Sequence, residues 1–114
     1  MAGRHIRVVS IWIHPGQEAA FGAFEREAAR RMAVHGGRID LAVRTAQPGS
    51  APGPESLEPY EVHVISFPDM AAADAYASDP ATHALMEKRA AIIALTTRGC
   101  GQGRWGGRAD SAFT

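Results

Sequence analysis

Two side-chain rhythms alternate along this chain, and their order limits the fold more than any single residue does. Residues 4–14 are rich in Val and Ile and alternate with a period of two: Val9, Ile11 and Ile13 against Val8, Ser10, Trp12 and His14. Pro15 and Gly16 stop that strand. Residues 17–35 then carry Ala20, Phe21, Phe24, Ala28 and Met32 at helical spacing, with Glu18, Glu25, Arg26 and Arg30 expected to look outward. Gly36 and Gly37 form a C-cap pair, and residues 38–45 alternate Ile39, Leu41 and Val43 with Arg38, Asp40 and Arg44. Residues 60–67 make a third strand, ended by Pro68. An alanine-rich helix follows over 69–78, and Asp79 with Pro80 starts a further helix as an N-cap with proline in the first turn. Residues 92–98 form a short fourth strand. The order strand, helix, strand, strand, helix, strand is an α+β pattern, the ferredoxin-like βαββαβ unit, with one four-stranded antiparallel sheet and both helices on one of its faces.

A chain of 114 residues with 46% hydrophobic and 21% charged side chains can bury one core and no more. We read 1–99 as a single domain, 45–59 as a Pro/Gly-rich loop that is either a lid or a passive insertion, and 100–114 as a glycine-rich, flexible C-terminal tail. Twelve basic residues balance twelve acidic ones, which argues against nucleic acid as a partner and favours self-association. The single cysteine, Cys100, forms no internal disulfide and suits a reducing compartment. With no apolar leader and no membrane-length apolar run, the expected location is the cytoplasm. Eleven arginines stand beside one lysine, Lys88, which leaves few candidates for Schiff-base chemistry.

The helices cover one face of such a sheet only. If Val62 and Val64 face them, then His63, Ile65 and Phe67 face the other side, together with Ser10, Trp12 and His14. That much apolar surface calls for a cover, and a second copy of the chain in a homodimer is the simplest one. Two imidazoles, His63 and His14, would then sit in an apolar pocket with Trp12, Ser10, Phe67 and Ile65, where they can move protons near neutral pH. The plainer reading keeps His63 as a hydrogen-bonding residue of the interface and His14 at an exposed strand end. Arg38 and Arg44 can bind an anionic substrate, or pair with Asp40 and Glu61. The five histidines offer no pair three or four apart on one helix, so no metal site is expected.

The element order together with local signals resembles the dimeric α/β-barrel superfamily, which includes antibiotic biosynthesis monooxygenases, muconolactone isomerases and small polyketide cyclases. Pro15, Gly16, Glu18 and Phe21 resemble the start of the monooxygenase-type domains. His35, Gly36, Gly37 and Arg38, then Phe67, Pro68, Ala72, Tyr76, Ser78, Pro80, Leu85 and Arg89, are closer to a large uncharacterised bacterial family of the same fold. The resemblance implies a dimeric barrel, and for the monooxygenases a polar residue on the third strand with an aromatic four positions on, the spacing of His63 and Phe67. It also implies chemistry without metal or flavin. Haem-degrading relatives carry a histidine seven residues after a serine, where this chain has Leu85 after Ser78, so haem is disfavoured. The function expected is a cofactor-independent enzyme, an isomerase, cyclase or monooxygenase acting on an aromatic or polyketide-like metabolite. A non-catalytic small-molecule binder or stress-associated dimer is the alternative.

Overall fold

The computed structural model describes residues 3–45 and 58–102, with side chains as far as Gly99. Most of the Pro/Gly-rich loop, and the tail from 103 onward, lie outside the described residues. In chain order the elements are β1 (His5–Ile13), α1 (Glu18–Val34), β2 (Arg38–Arg44), β3 (Glu61–Phe67), α2 (Met70–Ser78), α3 (Pro80–Met86), a single 3₁₀ turn (Arg89–Ala91) and β4 (Ile93–Gln102). The strands pair antiparallel in the order β2-β3-β1-β4, which is the ferredoxin-like topology. β4 runs four residues past the expected end at 98, because it stays paired with β1 as far as His5↔Gln102. No helix among the described residues is long and apolar enough to cross a membrane.

Local chemistry places the joints. Asp69 Oδ1 accepts the Ala72 N–H at 2.8 Å and Asp79 Oδ1 accepts the Ala81 N–H at 2.9 Å, so each short helix begins on a carboxylate. Pro80, without an N–H, sits in the first turn of α3, where no intrahelical partner is lost. At the end of α1, Gly36 adopts φ +73°, and its N–H and that of Gly37 return to the Ala33 and Met32 carbonyls. Asp79 also ties the start of α3 to the end of α1: its Oδ2 lies 2.8 Å from His35 Nε2. Hydrogen bonds from His35 and from the Ala81 N–H hold the Asp79 carboxyl below the usual range.

Register decides which side chains share a face. Val9 stands opposite His63, Arg7 opposite Ile65, and Ile11 opposite Glu61. Phe67, wholly buried, packs with Met32 and Ala73 beneath the helices, with Ile65 and Tyr76 against the same cluster. Ile11, Ile13, Phe21, Tyr60 and Ile93 form a second cluster nearer the other end of the sheet. His63, Ile65 and Phe67 therefore face the helices, which reverses the assignment expected from sequence. The strand period was right and its absolute sense was not: Phe67 needs the deep space under the helices, and Val62 and Val64 look the other way. Val62 is opposite Val43, Val64 opposite Leu41, and Trp12 opposite Leu95 on the face away from the helices. Of these, Leu41, Val43 and Leu95 are about half exposed, whereas Trp12 is only 8% exposed. The case for a covering partner thus loses Phe67, Ile65 and the already buried Trp12, and rests on Leu41, Val43 and Leu95.

The bottom of the helical layer is set by a glycine. A Cβ on Gly37 would lie 2.5 Å from Cε1 of the buried Phe67 ring, while one on Gly99 would meet nothing within 4 Å. Gly37→Ala is therefore expected to destabilise the fold by about 1–3 kcal/mol through overpacking. Gly99→Ala should be close to neutral or slightly stabilising. Urea denaturation of both variants checks this, and equal stability for the two would contradict the packing.

Candidate functional site

Between the sheet and α1 lies a cavity of about 660 Å³, within the usual range for small-molecule sites. Val9, Ile11, Ile65 and Ile93 of the sheet form its floor, and Phe21, Phe24, Ala28 and Met32 of α1 form its roof. Tyr76 and Met86 contribute from the other helices. The polar groups divide: Glu25 and His63 lie toward β3, and Arg7, Arg89, Thr96 and Arg98 lie on β1, the 3₁₀ turn and β4.

His63 is buried, with its ring 6.2 Å from that of Phe21. Its Nε2 lies 2.5 Å from Glu61 Oε2 and 3.3 Å from Glu25 Oε1. Glu61 and His63 are two apart on one strand and so share a face, while Glu25 reaches down from α1 in line with Phe21, Ala28 and Met32. Glu61, 4% exposed, is in turn held by Arg44, whose Nη2 and Nε donate to its Oε1 at 3.1 and 3.2 Å. The Arg44 guanidinium lies over the Tyr60 ring at 4.9 Å, and Tyr60 meets Phe21 edge to face. With Nε2 committed to carboxylates, Nδ1 makes no hydrogen bond among the described residues.

The two carboxyls are pushed apart electrostatically. Burial raises the pKa of Glu25, and the neighbouring Glu61 raises it further against the pull of His63 and Arg44. Burial also opposes ionisation of Glu61, but hydrogen bonds from His63, Glu25 and Arg44, with the charge of His63, outweigh it and lower its pKa. Glu61 thus gives up its proton more readily than Glu25 does. Burial likewise raises Tyr76 despite nearby Arg7, and keeps its hydroxyl a donor.

The other residues singled out from sequence are dispersed. Ile65 lines the cavity; Phe67 belongs to the core below it. Ser10 and Trp12 are on the opposite face of the sheet. His14 lies at the end of β1, its Nε2 3.0 Å from the Ala90 carbonyl and far from His63. Arg38 is exposed and paired with Asp40 at 2.7 Å, so neither it nor His14 joins this site. Glu25, expected to look outward, turns inward. The ligand atoms of Glu25, Glu61 and His63 lie within 4.8 Å of one another, an arrangement able to hold a divalent cation that histidine spacing alone does not reveal. The signals that could have revealed this cluster were the Glu61–His63 pair in a hydrophobic strand and a glutamate interrupting the apolar stripe of α1.

No family model matches the chain, and no curated protein matches it. Solved structures do. A protein of unknown function from Rhodopseudomonas palustris is 15% identical, with a TM-score of 0.72 over 91% of this chain and 85% of that one. An antibiotic biosynthesis monooxygenase-like protein from Nitrosomonas europaea is 13% identical, with a TM-score of 0.69 over 93% and 95%. SnoaB, a cofactor-independent oxygenase from Streptomyces nogalater, is 14% identical, with a TM-score of 0.66 over 90% and 95%. The chain shares their fold. These likenesses match the resemblance read from sequence, and they bear on architecture alone.

The raised pKa of Glu25 has a signed consequence. A glutamate unfolded at its ordinary 4.5 and higher in the native state contributes stability that is complete below 4.5 and is lost as pH rises through the raised value. Glutamine carries the donor without the titration. The unfolding free energy of Glu25→Gln relative to the parent chain should therefore rise as the pH is raised above 4.5. A difference that is constant with pH, or that falls, would show that the Glu25 pKa is not raised by folding.

Proposed function

We propose that the chain is a small-molecule enzyme that moves a proton at an aromatic carbonyl or phenol, with His63 as the base. The observation that carries this reading is the Arg44–Glu61–His63–Glu25 chain, with Glu61 and His63 buried and Arg44 at its exposed end, set at the wall of an apolar cavity. A carboxylate on one imidazole nitrogen fixes ring orientation and tautomer and stabilises the imidazolium that forms, leaving the second nitrogen as base. Here Glu61 fills that role on Nε2, and Nδ1 takes the proton from a substrate C–H or O–H. Glu25, the carboxyl of raised pKa beside His63, supplies a proton to a second substrate atom. Apolar walls from Phe21, Phe24, Met32 and Ile65 exclude water and suit a flat ring.

The enolate or phenolate so formed is the intermediate common to isomerisation, cyclisation and direct reaction with dioxygen. All three remain within the proposal. The fold shared with a cofactor-independent oxygenase supports chemistry of this kind by the chain's own residues. A purely binding role uses the same cavity, and the proton transfer separates the two.

1-Tetralone serves as a probe, because its C2 hydrogens exchange with D₂O only when removed by a base. The protein should accelerate that exchange, and His63→Ala should lower the acceleration by about 10²-fold or more while ligand binding persists. Glu61→Gln should lower it by a smaller factor. NMR integration of the C2 signal reads the result. Binding of tetralone without exchange in the parent protein would leave a binder, and exchange unchanged in His63→Ala would remove His63 from the chemistry.

A further inference from the structure

The same cavity has a second polar wall with no counterpart to its charge. Arg7, Arg89 and Arg98 all line it, and none of the three is paired with a carboxylate among the described residues; the arginines that are so paired are Arg30, Arg31, Arg38 and Arg44. Arg7 donates from Nε to His5 Nε2 at 3.2 Å, and Arg89 donates from Nη2 to Thr96 Oγ1 at 2.6 Å. Both contacts orient a guanidinium without neutralising it. Arg7 and Arg89 are partly buried, and gathering like charges at the edge of an apolar space is unfavourable unless an anion joins them. Guanidinium forks match carboxylate geometry.

Register gives the spacing. His63 is opposite Val9 on β1, and Val9 is opposite Arg98 on β4, so the three form one row across the sheet on the face that looks at α1. His63 and Arg98 are two strand spacings apart, about 10 Å. Thr96 is two residues from Arg98 and on the same face, opposite Ile11. Tyr76, close enough to Arg7 to feel its charge, adds a neutral hydroxyl donor. The floor between the two polar walls is Val9 with Ile11 and Ile65.

We infer that the cavity takes an anionic aromatic, a carboxylate on a fused-ring skeleton, with the carboxylate on Arg7, Arg89 and Arg98 and the opposite edge of the ring at His63. This rests on reading the cavity as the substrate site, and it names the substrate class that site selects. The anion anchors one end, and the row spacing delivers a two-ring skeleton to Nδ1. A neutral analogue of the same shape keeps the apolar contacts and leaves the arginines unpaired.

The test compares 2-naphthoate with 2-naphthamide, equal in shape and different in charge, by isothermal titration calorimetry on the intact protein at low salt. The naphthoate should bind at least about tenfold tighter, and added salt should erode the difference. In Arg89→Gln/Arg98→Gln the preference should fall to within about twofold, while the double Arg→Lys variant retains most of it; circular dichroism confirms the fold of each. Arg98→Gln alone, at an exposed position, serves if the double variant does not fold. Equal affinities in the parent protein, no binding of either compound up to millimolar concentration, or a preference unchanged in the Gln variants would each overturn the assignment. His63→Ala separates this from the proton-transfer reading, since it should keep the naphthoate preference. A preserved preference with no tetralone exchange in the parent protein leaves the anion wall standing and removes the base.

Discussion

Phe67 set against Gly37 is the contact from which the rest of the molecule follows. The ring fills the space at the base of α1, and only a residue without a Cβ lets the start of β2 pass over it. Pro68 meets Gly36 in the same corner, His35 bonds Asp79, and Tyr76 packs on Phe67 with ring centroids 5.4 Å apart. The residues that carry the resemblance to the uncharacterised bacterial family are thus largely the residues of one structural joint. They explain a shared fold and say little about a shared reaction.

That joint also fixes the sense of β3. With Phe67 turned under the helices, the pleat turns Ile65, His63 and Glu61 the same way, two residues at a time. The imidazole is thereby placed within a layer of apolar side chains, where hydrogen bonds to charged groups are strong and unpaired ones are costly. The arrangement answers that demand with a chain of partners, Arg44 on Glu61, Glu61 on His63, Glu25 above. A site assembled this way is held by strands on one side and a helix on the other, which suits it to precise positioning of a substrate.

Much of the fold was legible in sequence because local signals agreed with one another. Pro15 and Gly16, the Gly36–Gly37 pair and Asp79 before Pro80 mark element ends by mechanisms that need no tertiary information. Alternation in β3 showed correctly that His63, Ile65 and Phe67 share a face. It could not show which face, since a period of two is symmetric and both sides of the strand are apolar. The site was harder still. His63 was identified, but its partners were not: Glu25 was assigned to the solvated side of α1, and Glu61, read as a surface partner of Arg44, does pair with Arg44 but is buried against His63. His14, Ser10 and Trp12 were grouped with His63 through the inverted face, and Arg38 is taken up by Asp40. The three arginines of the cavity wall come from β1, the 3₁₀ turn and β4, and only the tertiary fold brings them together.

The account depends most directly on the position of one ring. A nuclear Overhauser spectrum of protein labelled at histidine and phenylalanine reads it in solution. With ring centroids 6.2 Å apart, His63 and Phe21 protons should give cross-peaks. Cross-peaks from His63 to the Trp12 indole, with none to Phe21, would place the imidazole on the opposite face of the sheet and contradict the site.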